Sequence, residues 1–193
     1  MKKAKLLLHA CCAPCSIYVV QKLAQDYNLT IYYYNPNIHP AGEYQKRLQE
    51  IIQWSKKEGI ALQEADYRPQ DWIQTMQGHE WDKEGGERCA MCYDYRLRQT
   101  AEFASVHNFP IFSTTLTISP HKKASVINPI GQKLAEEYGI DFLAADWKKQ
   151  DGFKIACQLS REAGFYRQDY CGCIYSYRDR LLKDKAKYEA AGV

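Results

Sequence analysis

Cysteine is the residue type that stands out in this 193-residue chain, because seven of its eight copies fall into three short groups. The groups are a triplet, a CxxC pair and a CxC pair: Cys11, Cys12 and Cys15; Cys89 and Cys92; Cys171 and Cys173. Thiolates bind zinc and iron well, and cysteines three residues apart can reach one metal. Adjacent cysteines and CxC pairs make poor structural disulfides, and a chain of this length can build a core without such crosslinks. The spacing therefore predicts metal or redox chemistry.

The local sequence around the first two groups predicts how they are positioned. The triplet follows an apolar run at residues 5–9 and precedes a helical pattern at residues 17–26. The carboxyl end of a strand that leads into a helix is where open α/β sheets bind ligands, and the helix dipole there favours a thiolate. The CxxC pair stands at the start of a second predicted helix, residues 88–108. We expect both groups to be presented from helix N-termini.

Strand-like and helix-like segments alternate along the chain. Further strands are predicted at residues 29–34, 61–65, 109–116 and 140–144. Further helices are predicted at residues 41–58 and 71–76, from Ser119-Pro120 to 138, and at 151–163 and 175–190. The alternation predicts an α/β fold, with a parallel sheet flanked by helices. We expect one domain over residues 1–193, with a helical insertion at about 41–108 and a helical extension at about 151–193.

Composition limits the cellular setting and the partners. The formal net charge of +3 permits an RNA partner without requiring one. No apolar run approaches the ~18 residues that a membrane span needs. These features predict a cytoplasmic protein that does not act at a membrane.

The cysteines leave two metal chemistries and two uses of the CxC pair open. Four to six thiolates from two helix termini suit an iron–sulfur cluster. A structural zinc site is the alternative, although zinc usually takes two well-spaced cysteine pairs in small modules. Cys171 and Cys173 either cycle as a strained, easily reduced disulfide or add two ligands to a second metal. Cys157 stands alone in a predicted helix and is interpreted as a packed core thiol.

Four ordered motifs make the chain resemble the QueH family of epoxyqueuosine reductases, the cobalamin-independent type. The motifs are LHACCAPC at residues 8–15, RCAMCYDYRL at 88–97, FSTTLTISPHK at 112–122 and YRQDYCGC at 166–173. The resemblance implies reduction of the epoxide of epoxyqueuosine at the tRNA wobble position, which is the last step of tRNA queuosine biosynthesis. It therefore also implies a tRNA that carries epoxyqueuosine as the partner.

The resemblance also implies how the cysteines are used. A [4Fe–4S] cluster is assigned to Cys11, Cys12, Cys89 and Cys92. Cys15 is assigned to a second mononuclear iron, because family members can carry a carboxylate at that position. Cys171 and Cys173 are assigned as the redox pair, since reduction of an epoxide takes two electrons and a cluster delivers them singly.

The domain resembles the HUP-type fold of PP-loop ATPases as well. Those enzymes carry a glycine- and serine-rich phosphate loop where this chain has His9-Ala10-Cys11-Cys12. Without glycines the backbone cannot approach a pyrophosphate closely, so ATP binding is not expected. The alternative functions are a structural zinc-binding RNA module without catalysis and a cluster-dependent tRNA thiolase.

The remaining candidates are proton donors and tRNA contacts. Asp146 and His9 could supply a proton, while their structural alternatives are a capping or surface charge and a satisfied core histidine. Cations interleaved with aromatic side chains suit flipped bases and phosphates. The substrate-binding residues predicted on this basis are Tyr93, Arg96, Lys122, Arg167 and Tyr170.

Overall fold

The structure, a computed structural model, describes residues 3–190, so the last three residues of the predicted C-terminal extension lie outside the described part. Five parallel strands of this part form one sheet in the order β3-β2-β1-β4-β5. Their bounds are β1 Ala4–His9, β2 Tyr27–Tyr33, β3 Ala61–Glu64, β4 Ile111–Thr114 and β5 Asp141–Phe142. The predicted α/β class with a parallel sheet is confirmed.

Seven α-helices accompany the sheet in the described part of the chain. Their bounds are α1 Ala13–Leu23, α2 Ala41–Lys57, α3 Pro69–Thr75, α4 Glu87–Val106, α5 Ala124–Tyr138, α6 Gly152–Glu162 and α7 Ile174–Ala190. A short 3₁₀ helix covers Leu116–Ile118. None of the helices within residues 3–190 is long and apolar enough to cross a membrane.

The central strand β1 has a buried side chain on each face of the sheet. Leu6 and Leu8 pack into a core with helices α1, α2 and α6, whereas Leu7 packs into a second core with α4 and α5. Successive side chains of a strand point to opposite faces, so an uninterrupted leucine run fits a strand that is covered on both sides. This arrangement makes the carboxyl end of β1 a rigid, buried support for the residues that follow it.

The strand order creates a ligand-binding edge beside β1. The chain runs from β1 outward through β2 and β3, and then crosses back to place β4 on the other side of β1. In open α/β sheets, ligands bind at the carboxyl ends of the strands where the order reverses in this way. Residues 10–15 follow β1 and residues 115–123 follow β4, so both segments lie at this edge.

Two predicted helix starts differ from the structure by four or more residues. Helix α1 begins at Ala13, earlier than predicted, because Pro14 occupies its first turn, where a fixed φ is favourable and no N–H is needed. The helix predicted to open at Ser119-Pro120 begins only at Ala124, since residues 116–123 form the 3₁₀ helix and a turn instead. The turn brings Lys122 to the ligand-binding edge.

Gly152 allows α6 to pack tightly, and its replacement is expected to destabilise the fold. A Cβ at this position would lie 1.9 Å from the Trp147 carbonyl oxygen and 2.9 Å from Tyr18 Cε1. Because α6 packs on α1, the strain cannot be relieved by one side chain. Gly152→Ala should lower the free energy of unfolding by about 1–3 kcal/mol in urea titrations. Gly42→Ala is the control, since its Cβ would meet nothing within 4 Å; equal losses for both variants would contradict this explanation.

Candidate metal centre

The cysteine triplet lies in the turn between β1 and α1. The strand ends at His9, the helix begins at Ala13, and Cys12 is the N-cap residue. The thiols of Cys11, Cys12 and Cys15 all lie within 4.8 Å of one another, and the first two sulfurs are 3.7 Å apart. Two thiolates bound to one tetrahedral metal at about 2.3 Å are separated by roughly 3.8 Å. The triplet can therefore bind a metal.

The three thiols do not ionise independently. Hydrogen bonds from Cys12 and Cys15 hold the pKa of Cys11 well below its usual range, and Lys122 and Arg96 add to this effect. The hydrogen bond to Cys11 raises the pKa of Cys12 to about 12, and the same interaction raises the pKa of Cys15. Only one of the three is readily a thiolate without a cation. A metal ion would take the place of the shared protons, as metal ligation by thiolates requires.

The CxxC pair lies at the start of α4, beside the CxC pair. Cys89 Sγ accepts a hydrogen bond of 3.2 Å from the Gly85 N–H. Cys92 lies in a small buried cluster whose other buried members are Trp72, Met76, Cys173 and Tyr175. Burial raises the pKa of Cys89 and raises that of Cys92 to about 12. The structure thus brings residues of the second and third groups into contact, as metal ligands or redox partners require.

Arg96 connects the two helix starts. Its guanidinium, on a side chain that is 2% exposed, donates to Asn35 Oδ1, and Asn35 Nδ2 donates to the Ala10 carbonyl oxygen at 2.9 Å. The same charge contributes to the low pKa of Cys11 and partly offsets the rise that burial causes in the pKa of Cys92. Arg96 therefore ties α4 to the turn that holds the triplet, and it offsets negative charge in both groups.

A cavity of about 360 Å³ opens beside the triplet. Its lining includes side chains of the first and third cysteine groups and their neighbours, but neither Cys89 nor Cys92: Cys11, Cys15, Lys122, Arg167, Tyr170 and Cys171. All eight cysteines are free thiols, and Cys173 is held separately by hydrogen bonds with Ser176. Cys171 is thus the member of the CxC pair that faces the cavity.

Lys122 is a cation that lines the cavity and acts on the Cys11 thiol. Although burial opposes its charge, the Cys171 and Cys11 thiolates raise the pKa of Lys122 above its usual range. The backbone of the turn that carries Lys122 is held by Lys148, whose Nζ donates to the Lys122 carbonyl oxygen at 3.0 Å. A fixed ammonium group at this position favours anionic sulfur and can donate to a ligand oxygen.

Asp146 is not placed to donate a proton in this cavity. Its carboxylate pairs with Lys148 Nζ at 2.8 Å, and that contact lowers the pKa of the carboxyl group. Asp146 does not line the cavity. An ionised carboxylate in an ion pair is a poor acid at neutral pH, so the structure supports the alternative of a paired surface charge over the predicted catalytic role.

His9 is a buried structural residue. Its Nδ1 lies 2.9 Å from Thr114 Oγ1 and its Nε2 lies 3.3 Å from the Tyr34 carbonyl oxygen. Burial, together with the nearby Arg96 charge, lowers the pKa of His9 to about 3. The ring is therefore neutral and links β1, β2 and β4, which agrees with the alternative of a satisfied core histidine.

The five predicted substrate-binding residues separate into two sets. Lys122, Arg167 and Tyr170 line the cavity. Tyr93, at 6% exposure, and the buried Arg96 lie on the inner face of α4 instead. These two side chains pack the helix against the sheet and the turn, so they are not available for stacking on bases.

Two residues near the centre were missed by sequence reasoning. Arg47 is buried in α2 and pairs with Glu43, four residues earlier. That spacing was visible in the sequence, but ion pairs on exposed helix surfaces have the same spacing. Cys157 was interpreted as a core thiol, but it is half-buried and lines the cavity. A helical cysteine that faces a cavity has no distinct sequence pattern.

Comparison with known proteins supplies the family. The family model described as "Epoxyqueuosine reductase QueH" matches residues 6–179. A protein with that name from Haemophilus influenzae is 46% identical over 177 residues, which cover 91% of this chain and 72% of the relative. One from Streptococcus pyogenes is 40% identical over 180 residues, covering 90% of this chain and 71% of the relative.

A solved structure supports the predicted fold. The U34-tRNA thiolase NcsA from Methanococcus maripaludis, solved with its [4Fe-4S] cluster, has a TM-score of 0.61. The match covers 99% of this chain and 68% of that chain at 11% identity, which shows a shared fold alone. The resemblance carried by the four motifs is confirmed by the family model and the relatives: this chain belongs to the QueH family of epoxyqueuosine reductases.

Proposed function

We propose that this chain is an iron–sulfur-dependent oxidoreductase that reduces epoxyqueuosine at the tRNA wobble position to queuosine. Its membership of the family supports the reaction, since the curated relatives carry the name epoxyqueuosine reductase. The structural observation that supports it most directly is the arrangement of thiols: Cys11 and Cys15 of the triplet line one cavity with Cys171 at the switch point of the sheet. We also propose that residues 1–193 work as a single metal-binding domain, because the insertion and the extension both contribute cysteines near this edge.

The donor set fits a metal group with a net negative charge. The triplet and Cys92 are buried or nearly so, and three cations face the thiols: Arg47, Arg96 and Lys122. Buried cations are costly unless they are paired with anions, and a thiolate-bound cluster supplies such charge. We assign a [4Fe–4S] cluster to Cys11, Cys12, Cys89 and Cys92, and a second iron to Cys15.

Reduction of the epoxide to an alkene releases its oxygen as water and consumes two electrons and two protons. The bound iron would supply single electrons and Lewis acidity toward the epoxide oxygen. Oxidation of the Cys171 and Cys173 thiols to a disulfide releases two electrons and two protons, which balances the reaction. Cys171 is placed for this role because it lines the cavity, and Lys122 can donate a hydrogen bond to the substrate oxygen there.

The tRNA is proposed to approach the cavity along α7. Arg167 and Lys183 line the cavity, and Trp81 lies nearby on the surface with 80% exposure. The Arg178 guanidinium carbon lies 4.3 Å from the centre of the Trp81 ring. An exposed indole backed by a guanidinium is a suitable platform for a base, and the cations suit phosphates.

Removal of this platform is expected to weaken tRNA binding. Trp81→Ala should cost about 1–3 kcal/mol of binding free energy, the usual value of one base–aromatic stack. Filter binding with tRNA at fixed salt measures the effect. Val106→Ala is the matched control, because Val106 is an apolar residue with 70% exposure. It lies at the C-terminal end of α4, whereas Trp81 precedes the N-terminal end of that helix. Equal affinities of the wild type and Trp81→Ala would place the tRNA on another surface.

The decisive test of the function is an anaerobic assay. Protein reconstituted with iron and sulfide is incubated with epoxyqueuosine-containing tRNA and a chemical reductant, and nucleosides are identified by mass. We expect visible absorbance from the cluster and conversion to queuosine without ATP. A colourless protein that holds only zinc would contradict the reductase assignment and favour the structural RNA module. A requirement for ATP would favour the thiolase.

A further inference from the structure

Arg47 occupies an unusual position for an arginine. It lies in the middle of α2 with a side chain that is 1% exposed. Its Nε donates to Glu43 Oε1 at 2.7 Å, and its Nη1 donates to the Cys171 carbonyl oxygen at 3.4 Å. Its Nη2 is buried and has no hydrogen-bond partner among the residues that the structure describes. A buried N–H group without an acceptor is costly, so this geometry calls for a further anionic neighbour.

The segment that carries the CxC pair docks on α2 and on the residues before it. Tyr166 donates from its hydroxyl to Glu43 Oε2 at 3.1 Å and from its backbone N–H to Glu50 Oε1 at 2.7 Å. The His39 N–H donates to the Gly172 carbonyl oxygen at 2.7 Å. These contacts hold residues 166–173 over the carboxyl edge of the sheet.

The turn of the CxC pair is folded against the guanidinium. Gly172 has a φ of +116°, and a Cβ on it would lie 2.9 Å from Arg47 Nη1. Glycine is therefore required at position 172 for two reasons: the backbone conformation and the close approach of Arg47. The position of Cys171 thus depends directly on Arg47.

Arg47 also faces the triplet. The Cys12 and Cys11 thiolates stabilise its charge against the cost of burial, and the guanidinium in turn partly offsets the rise that the Cys11 hydrogen bond causes in the pKa of Cys12. Gln168, from the same docked segment, donates to Cys12 Sγ at 3.6 Å. The guanidinium accordingly contacts the turn of the third cysteine group and acts electrostatically on the first.

We propose that Arg47 is a positioning residue that fixes the turn carrying Cys171. In addition, its charge raises the reduction potential of the metal group bound by the triplet. The inference rests on the proposed function only in assuming a redox-active metal group. Reduction adds negative charge, and a buried cation nearby favours the reduced form because solvent and salt screen it weakly. Glu43 opposes this effect, since it pairs with the same guanidinium.

The test measures the midpoint potential of the metal group in three variants of the reconstituted protein. The anaerobic redox titration is monitored by electron paramagnetic resonance. Arg47→Met should make the midpoint potential more negative by at least the 59 mV that corresponds to a tenfold change in a one-electron equilibrium. Arg47→Lys keeps the positive charge and should shift the midpoint potential less. Glu43→Gln should shift the midpoint potential in the positive direction. Unchanged potentials in Arg47→Met and Glu43→Gln, with iron content intact, would overturn the electrostatic role. If Arg47→Met does not fold, the sign of the Glu43→Gln shift decides.

A second measurement tests the turn without any metal. In the metal-free protein, the rate of Cys171 alkylation by iodoacetamide, mapped by mass spectrometry, should rise in both Arg47→Lys and Arg47→Met. Cys157 alkylation is the internal control, since Cys157 lines the same cavity but shares no hydrogen bond with Arg47 among the described residues. An unchanged Cys171 rate would overturn the positioning role. Because this readout needs neither cluster nor substrate, it separates failure of the inference from failure of the proposed function.

Discussion

Serine in place of Cys89 is expected to abolish the cluster together with epoxide reduction. Cys89 begins the CxxC pair at the N-terminus of α4, and the Gly85 N–H already points at its sulfur as it would at a metal-bound thiolate. An alkoxide or hydroxyl is a poor replacement for a thiolate on iron. Iron and sulfide analysis and visible absorbance after anaerobic reconstitution measure the loss, and activity should fall to background.

The matched control for this change is Cys157→Ser. Cys157 is half-buried and belongs to none of the three groups, so its replacement should leave iron and sulfide content unchanged. Circular dichroism shows whether each variant is folded. Full cluster content in a folded Cys89→Ser protein would remove Cys89 from the ligand set and make Cys15 the candidate for the remaining cluster ligand.

Serine in place of Cys171 is expected to spare the cluster and stop the reaction. Cys171 lines the cavity and lies in a turn held by Arg47, whereas the assigned cluster ligands belong to other segments. Loss of a residue that exchanges electrons with the substrate typically lowers turnover by roughly a thousandfold or more. Single-turnover conversion of epoxyqueuosine, measured at equal cluster content, checks this expectation.

The contrast with Cys89→Ser makes the division of roles testable. Loss of iron in Cys171→Ser would show that the CxC pair belongs to the metal ligands and is not a separate redox pair. Cys173→Ser should behave in the same way as Cys171→Ser if the two thiols form a disulfide during turnover. Retained activity in Cys173→Ser would leave Cys171 acting alone.

The fold and the cysteine groups were predictable because they depend on local patterns. The leucine run of β1 and the helical periodicity after the triplet predict the βα turn, and the alternation of strands and helices predicts the parallel sheet. The start of α5 was predicted too early because Ser119 and Pro120 also suit a turn. A local capping pattern does not determine which of the two forms.

The surroundings of the thiols were less predictable because they depend on tertiary contacts. Arg47 has the spacing of a surface ion pair and Arg96 was predicted to contact the tRNA, whereas the structure buries both side chains in α2 and α4. Asp146 reads as a free acid until Lys148 is found 2.8 Å away. In each case the decisive neighbour is a matter of packing or pairing, and residue types and spacing do not specify it.

The distance along the chain between the first and third cysteine groups bears on how the protein is made. The triplet follows the first strand of the sheet, whereas the CxC pair precedes the last helix. At translation rates of about 5–20 residues per second, the triplet leaves the ribosome roughly 8–30 s before the CxC pair. During that interval the early thiols lack the segment that later covers them, so they are open to oxidation and to the wrong metal. The cover that Gln168 and its neighbours give to the triplet is therefore completed only late in synthesis.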